Sequence, residues 1–442
     1  MNLDLAHCKE LVHSAARPVF RGSVDQVSGV MVEARGVPAA LGEMCRIDRG
    51  RLGPINAEVI GFRGQSTLLM PHGDLAGIAP MQRVMALGKP FTVPVHNSLL
   101  GRTIDGYGQP LDNGGPIQGP HRAVRQDAPP ALSREPIRSP LQTGLRAIDG
   151  MTTLGRGQRV GIFAGSGVGK SSLLGQVTRG TDADVVVVCL VGERGREVKS
   201  FVDETLGEEG RKKSVLVVAT SDRAPIERFL APFVAVTVAE HFRDQGLDVL
   251  LVMDSVTRFA LASREIGLAA GEPPTVRGFP PSFFATIPKI VERMGRTAAG
   301  SITGLLTILL DGDDPNDPVS DTMRGLLDGH IFLSRDLAQA GHFPAIDVLG
   351  SLSRLMTDLV DGGHQADAIR VRELLAAYNE GKDLIEVGAY RAGTNPALDD
   401  AVLRMPAILQ FLRQGQGEAT SVQDTRELLG LLTQNFEDQG AA

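Results

Sequence analysis

The chain of 442 residues has no tryptophan, only three tyrosines, and 4% aromatic residues overall. Single-stranded nucleic acid is gripped by stacking bases on exposed rings. The β-rich N-terminal region offers one prominent ring, Phe62, so a base-stacking platform is poorly supplied. Dense basic runs are missing too. The net charge is −7, divided into about +3 before Pro140 and −10 after it, which does not match an electrostatic nucleic-acid binder. The three cysteines, Cys8, Cys45 and Cys189, are odd in number and lack metal-ligand spacing, as expected of reduced thiols in a cytosolic protein. No apolar h-region follows a basic n-region, and no apolar stretch approaches the ~18 residues of a membrane span. The expectation is a cytoplasmic chain that reaches a membrane only through partners.

What is present is an ordinary globular composition, 42% hydrophobic and 22% charged. The length allows about three domains of ~150 residues. The apolar run Val160-Gly161-Ile162-Phe163 leads directly into Ala164-Gly165-Ser166-Gly167-Val168-Gly169-Lys170-Ser171-Ser172. This is a phosphate-binding P-loop with Ala164, also small, at the first glycine position. Successive backbone N–H groups of such a turn converge on an anion, and the following helix adds its N-terminal partial charge. Lys170 can then reach the β- and γ-phosphates of ATP, and the Ser171 hydroxyl can ligate Mg²⁺.

The pattern changes twice along the chain. From Gly22 to about Lys89, short β-rich segments (Val27 to Glu33, Glu43 to Asp48, Ala57 to Phe62, Thr67 to Met70) are separated by Gly and Pro and read as a small β-barrel. Asp127 to Pro140 holds four prolines and reads as an extended connector. Beyond it come unalternating apolar runs: Val160 to Phe163, Val185 to Val191, Val215 to Ala219, Val249 to Met253, Ile302 to Leu310 and His330 to Leu333. Strands buried on both faces have this character, and they alternate with helical stretches such as Ile226 to Phe242. The fold class is therefore an α/β P-loop (RecA-like) core with a mostly parallel sheet, preceded by the barrel. From about Ala366 the apolar spacing is helical and marks a C-terminal helical domain. The expected divisions are 1–20, 21–92, 93–362 and 363–442. The first carries Leu3, Leu5, Cys8, Leu11 and Val12 on one helical stripe.

Asp254 ends the apolar run that starts at Val249, where a carboxylate can hold the Mg²⁺ water shell. Glu193 and Glu197 follow the run Val185 to Val191, which puts them at the strand's carboxyl end, where open α/β sheets bind ligands. Spacing does not choose between these two glutamates as the group that orients the attacking water.

The P-loop, the Gly192-to-Glu197 block, Met253-Asp254-Ser255-Val256-Thr257-Arg258 and Pro344-Ala345-Ile346-Asp347-Val348-Leu349-Gly350-Ser351-Leu352-Ser353-Arg354 together resemble the rotary ATP synthase α/β subunit superfamily. Within it, Gly271-Glu272-Pro273-Pro274, Gly278-Phe279-Pro280-Pro281-Ser282, Leu327-Asp328-Gly329-His330-Ile331, Phe242-Arg243-Asp244-Gln245-Gly246 and Val387-Gly388-Ala389-Tyr390 resemble the type III export ATPases of flagella and injectisomes. The resemblance runs from about Arg21 to about Arg413. It implies that Glu193 is the catalytic carboxylate. It implies that Arg354 is an arginine finger given in trans to a neighbouring subunit, and that Arg258 lies near the γ-phosphate. Phe343 falls where the family usually has Tyr against the adenine; the stacking face is kept and the phenol hydrogen bond lost.

The resemblance further implies an ATP- and Mg²⁺-dependent hydrolase, a homohexamer at the cytoplasmic face of the inner-membrane export gate. Its expected partners are a stator-like regulator docked by the N-terminal segment, a central-stalk protein and chaperone–substrate complexes, with no nucleic acid. Gly61-Phe62-Arg63-Gly64, Leu68-Leu69-Met70-Pro71 and Ala164-Gly165-Ser166-Gly167 look more flagellar than injectisome-like. The alternatives are an injectisome ATPase, a rotary ATPase subunit, a nucleic-acid translocase, or a scaffold that holds nucleotide as a structural ligand.

Overall fold

Short segments punctuated by glycine close into a six-stranded antiparallel barrel: β1 (Arg21–Ser28), β2 (Met31–Arg35), β3 (Glu43–Asp48), β4 (Pro54–Arg63), β5 (Ser66–Pro71) and β6 (Arg83–Pro90), in the order β1-β2-β5-β4-β3-β6. The computed structural model describes residues 21–310, 312, 314 and 317–434. The expected docking helix over residues 1–20 lies outside the described residues. Val24, Val32, Ala34, Cys45, Ile47, Val59, Leu69 and Val84 fill the barrel. One sequence expectation is corrected here, because Val27 to Glu33 is not a single strand. Gly29 takes φ +59°, which Gly adopts without a side-chain penalty, and turns the chain so that Ser28 pairs with Met31 in a hairpin.

The central sheet has nine strands. Eight are β7 (Thr103–Asp105), β8 (Arg159–Ala164), β9 (Val185–Val191), β10 (Ser214–Ala219), β11 (Asp248–Asp254), β12 (Ser301–Leu309), β13 (Gly329–Leu333) and β14 (Ile346–Ser353), in the order β14-β13-β8-β12-β11-β9-β10-β7. The ninth, Gly295–Arg296, pairs only with β12. Neighbours along the order are parallel except β14, which returns antiparallel to β13.

Strand β9 shows why these runs do not alternate. Val185, Val187, Cys189 and Val191 enter one core with the helices Pro225–Arg243, Val256–Ala269 and Pro281–Val291. Val186, Val188 and Leu190 enter the other, with the helix Lys170–Gly180 and the C-terminal helices Gly362–Glu386, Pro396–Leu412 and Val422–Thr433. Side chains two apart share a face, so a strand covered on both sides is apolar throughout.

Each C-terminal helix begins at a polar cap: Asp361 accepts from His364 N, Asn395 from Ala397 N and Leu398 N, and Ser421 from Asp424 N. The bundle is tied to the α/β layer through Arg146 Nε to Phe411 O (2.8 Å) and Gln414 Nε2 to Gly144 O (2.7 Å). On the other side, Arg125 from the segment after the barrel pairs with buried Glu58 at 2.8 Å while its guanidinium lies over Phe229 and Phe233. Among the described residues, no helix is long and apolar enough to cross a membrane.

Candidate active site

Strand β8 ends at Ala164, and the chain then turns through Gly167 (φ +80°) and Gly169 (φ +95°), left-handed positions that a residue with a Cβ resists. Helix Lys170–Gly180 follows at once. Gly165, Ser166, Gly167, Gly169, Lys170, Ser171 and Ser172 face an open cleft of about 810 Å³, while Val168 is buried beneath the loop. The Phe343 ring lies over the turn, so close that a Cβ on Gly169 would sit 3.3 Å from it. The residue is 46% exposed, open enough to meet a ligand. Its backbone carbonyl accepts from Gln414 N at 2.9 Å, which anchors this platform to the C-terminal bundle.

Lys170 does not point into solvent. Its Nζ donates to Asp254 Oδ1 and lies 3.7 Å from Glu193 Oε1. Asp254 closes β11 and is almost wholly buried. The register sets Met253 beside Leu306, so Thr307 follows beside Asp254, and its hydroxyl donates to Oδ1 at 2.8 Å. A cis peptide joins Asp254 to Ser255, whose hydroxyl caps the next helix by accepting from Arg258 N at 3.3 Å. Arg258 thus stands on the first turn at the cleft wall. Gly192 (φ +71°) passes directly beneath it, since a Cβ there would meet the Arg258 side chain at 2.9 Å.

Glu193 is held by its backbone, its carbonyl accepting from Ser221 N at 3.0 Å. Burial is the main reason its carboxyl is pushed up to about 7; Asp254 and Glu197 add to the rise, and the Lys170 ammonium opposes it. Glu197 lines the same cleft from the first turn of Gly195–Ser200, but its side chain is 46% exposed against 16% for Glu193 and it faces Arg194 at 3.8 Å. Of the two, Glu193 is the one set beside Lys170. The Ser171 hydroxyl on the cleft wall and the Asp254 carboxylate beside Lys170 are hard-oxygen donors. Such a set fits Mg²⁺, which binds through one or two carboxylates and substrate phosphates and keeps several waters.

Arg354 is elsewhere. It follows β14, whose Ser353 pairs with Gly329, and Gly329 pairs with Val160 near the start of β8. The P-loop leaves from the other end of β8, so Arg354 and the P-loop are separated by the length of the strand, ~13 Å at 3.3 Å per residue. Its backbone N donates to Asp328 O at 3.0 Å, and its exposed guanidinium reaches Arg324 O. The structure therefore lines one cleft with Lys170, Ser171, Glu193 and Arg258, sets Asp254 against Lys170 and Phe343 against Gly169, and leaves Arg354 outside it.

Two threonines escape a reading by motif. Thr307 holds Asp254, and Thr257 Oγ accepts from Leu309 N at 2.8 Å, pinning the end of β12 to the helix Val256–Ala269. For Thr307 the available signal was a hydroxyl set among Leu305, Leu306, Ile308 and Leu309 of a buried strand, which needs a partner to offset its desolvation.

Residues 144–353 match the ATP synthase alpha/beta family, nucleotide-binding domain, and residues 360–430 match the T3SS EscN ATPase C-terminal domain. The chain is 50% identical over 430 residues to the flagellum-specific ATP synthase of Pseudomonas aeruginosa, covering 96% of this chain and 95% of that one. It is 49% identical over 415 residues to the type 3 secretion system ATPase of Xanthomonas euvesicatoria, covering 93% and 94%. The assembled ATPase EscN of the enteropathogenic E. coli type III secretion system superposes with a TM-score of 0.89 at 43% identity, over 93% of this chain and 99% of that chain. EscN in complex with its central stalk EscO gives a TM-score of 0.86 at 42% identity, over the same shares. With this nucleotide cleft and these likenesses across nearly its whole length, the chain belongs to the type III secretion and flagellar export ATPases of the ATP synthase alpha/beta family.

Proposed function

We propose that the chain hydrolyses ATP in a homohexameric ring and uses the cycle to release and unfold chaperone-bound substrates for type III export, in the flagellar branch. The observation that carries this reading is the separation of functions along one sheet. Lys170, Glu193 and Asp254 meet at the carboxyl end of the parallel strands, while Arg354 stands at the other end. An arginine so placed is out of reach of the phosphate bound by its own chain, which supports a role toward one bound by another copy.

In the proposed reaction the P-loop N–H groups and Lys170 hold the β- and γ-phosphates, and Phe343 stacks on the adenine. Ser171 and Asp254 would hold Mg²⁺, Asp254 partly through water; when bound, the ion neutralises phosphate charge. Glu193, ionised, orients the attacking water and takes its proton. Arg258 faces the γ-phosphate from the cleft wall. Arg354 of the adjacent copy stabilises charge on the transferring phosphoryl group, an effect of order 10³ to 10⁵ in rate. In this reading the ring sits at the cytoplasmic face of the inner-membrane export gate, with a central-stalk protein and a stator-like regulator bound to it. The complex of EscN with EscO supports the central-stalk partner. The flagellar choice rests on the Gly61-to-Gly64 and Leu68-to-Pro71 segments of the barrel and on the small residues of the P-loop.

The test is ATPase rate against protein concentration, with an equimolar mixture of Glu193→Ala and Arg354→Ala chains alongside. Specific activity that rises with concentration, and partial rescue in the mixture, is the expected result. Activity independent of concentration with no rescue would mean a self-contained site, and the ring would have to be abandoned.

A further inference from the structure

Asp254 Oδ1 takes two donors, Lys170 Nζ from the P-loop helix and Thr307 Oγ1 from the neighbouring strand. They differ in what nucleotide does to them. A lysine that turns to the phosphates leaves the carboxylate, whereas Thr307 is fully buried in the middle of the sheet, with Ile162 of β8 on one side and Asp254 on the other. It cannot follow. The strand around it is Leu305, Leu306, Ile308 and Leu309, and its hydroxyl is given to Asp254.

The geometry points to Thr307 as a positioning residue for the metal: its hydroxyl keeps Asp254 in one rotamer when Lys170 lets go, with Oδ2 left to face the hydrated cation. This rests on the reading of Asp254 as the Mg²⁺ carboxylate. The chemistry is that of an outer-shell partner, which fixes the direction of a ligand without touching the ion and whose loss costs about 10- to 100-fold in metal affinity or activity. Its β-branched side chain has few rotamers, which suits a fixed donor.

The experiment measures binding of a fluorescent ATP analogue to the full chain in EDTA and in saturating Mg²⁺, for wild type, Thr307→Val, Thr307→Ser and Asp254→Asn, with a thermal melt of each. In Thr307→Val, which keeps the shape and removes the hydroxyl, the EDTA affinity stays within about twofold while the tightening produced by Mg²⁺ shrinks about 10-fold. Thr307→Ser restores most of it. A wild-type Mg²⁺ gain in Thr307→Val overturns the proposal, and so does an equal loss in Thr307→Ser, which would make the effect one of packing. The Asp254→Asn variant separates the two layers of inference. If it keeps the full Mg²⁺ gain, the metal assignment fails and this proposal with it; if it loses the gain while Thr307→Val keeps it, only the role of Thr307 fails. Should Thr307→Val not fold, Thr307→Ala carries the same expectation.

Discussion

The two ends of the central sheet handle charge in opposite ways. At the end where the parallel strands begin, Arg159 bonds Asp328 and Glu292, Arg156 bridges Asp182 and Asp248, and Ser301 donates to Asp248. Each of these charges is answered within the fold. At the other end two carboxylates share one lysine, and Glu193 is pushed up to about 7 by its surroundings. The first arrangement is complete and structural. The second sets one lysine between two carboxylates beside a P-loop built to receive a polyanion, with Arg258 and Arg264 on the same cleft, so its charges are laid out for a ligand and its ion. Charge density alone would not have distinguished the two ends; what differs is whether each group's partners belong to the chain.

The comparison breaks most sharply at Arg354, which lies at the structural end yet is exposed. Arg354→Ala should lower kcat by about 10³-fold or more while leaving nucleotide affinity within about twofold, measured by steady-state hydrolysis and by equilibrium binding. Retained turnover would return Arg354 to the structural set. Next is Glu193→Gln, expected to lose about 10²- to 10³-fold in kcat with ATP still bound. Its pH profile sharpens the point. With the carboxyl raised to about 7 and the ionised form required, wild-type kcat/KM should fall tenfold per pH unit below about 7 and level off above it. In Glu193→Gln that acid limb should vanish, and a limb that survives would mean another group sets it.

A smaller effect is expected from the structural end. Arg156→Ala removes bonds to Asp182 and Asp248, half-exposed partners, and should cost about 1.5 kcal/mol, a drop of about one to two degrees in Tm, with turnover of the folded protein retained. Loss of turnover without loss of stability would blur the division between the ends. Smallest of all is Phe343→Tyr, which keeps the stacking face and adds one hydroxyl. Nucleotide affinity should change by less than about threefold in the same binding assay.

Most of the architecture was legible in the sequence because burial on both faces leaves a plain mark. The six apolar runs from Val160 to Leu333 are strands, and Ile226 to Phe242 lies within the helix Pro225–Arg243. The barrel was less legible. Val27 to Glu33 reads as one strand because the residues flanking Gly29 are β-formers, and only the glycine's conformation reveals the hairpin. Strand β6, Arg83–Pro90, escaped notice since its exposure does not alternate and it ends in Gly-Lys-Pro. Within the site, spacing alone left Glu193 and Glu197 equal, whereas the P-loop and Asp254 stand in local words that a sequence spells out. The position of Arg354 does not, because it depends on β14 running back against β13. Thr307 was hidden for a related reason: its partner is 53 residues away and meets it only through sheet register.

The grip of Asp254 on Lys170 makes nucleotide binding an exchange rather than an encounter. An incoming phosphate must outbid a carboxylate already in place, so a weakly charged anion gains little, while a triphosphate arriving with its cation supplies both replacements at once. The same grip works in reverse after hydrolysis. If Lys170 holds the phosphates as proposed, then once inorganic phosphate has left, the carboxylate is in place to reclaim the lysine, and the departing nucleotide meets a competitor tethered inside its own site.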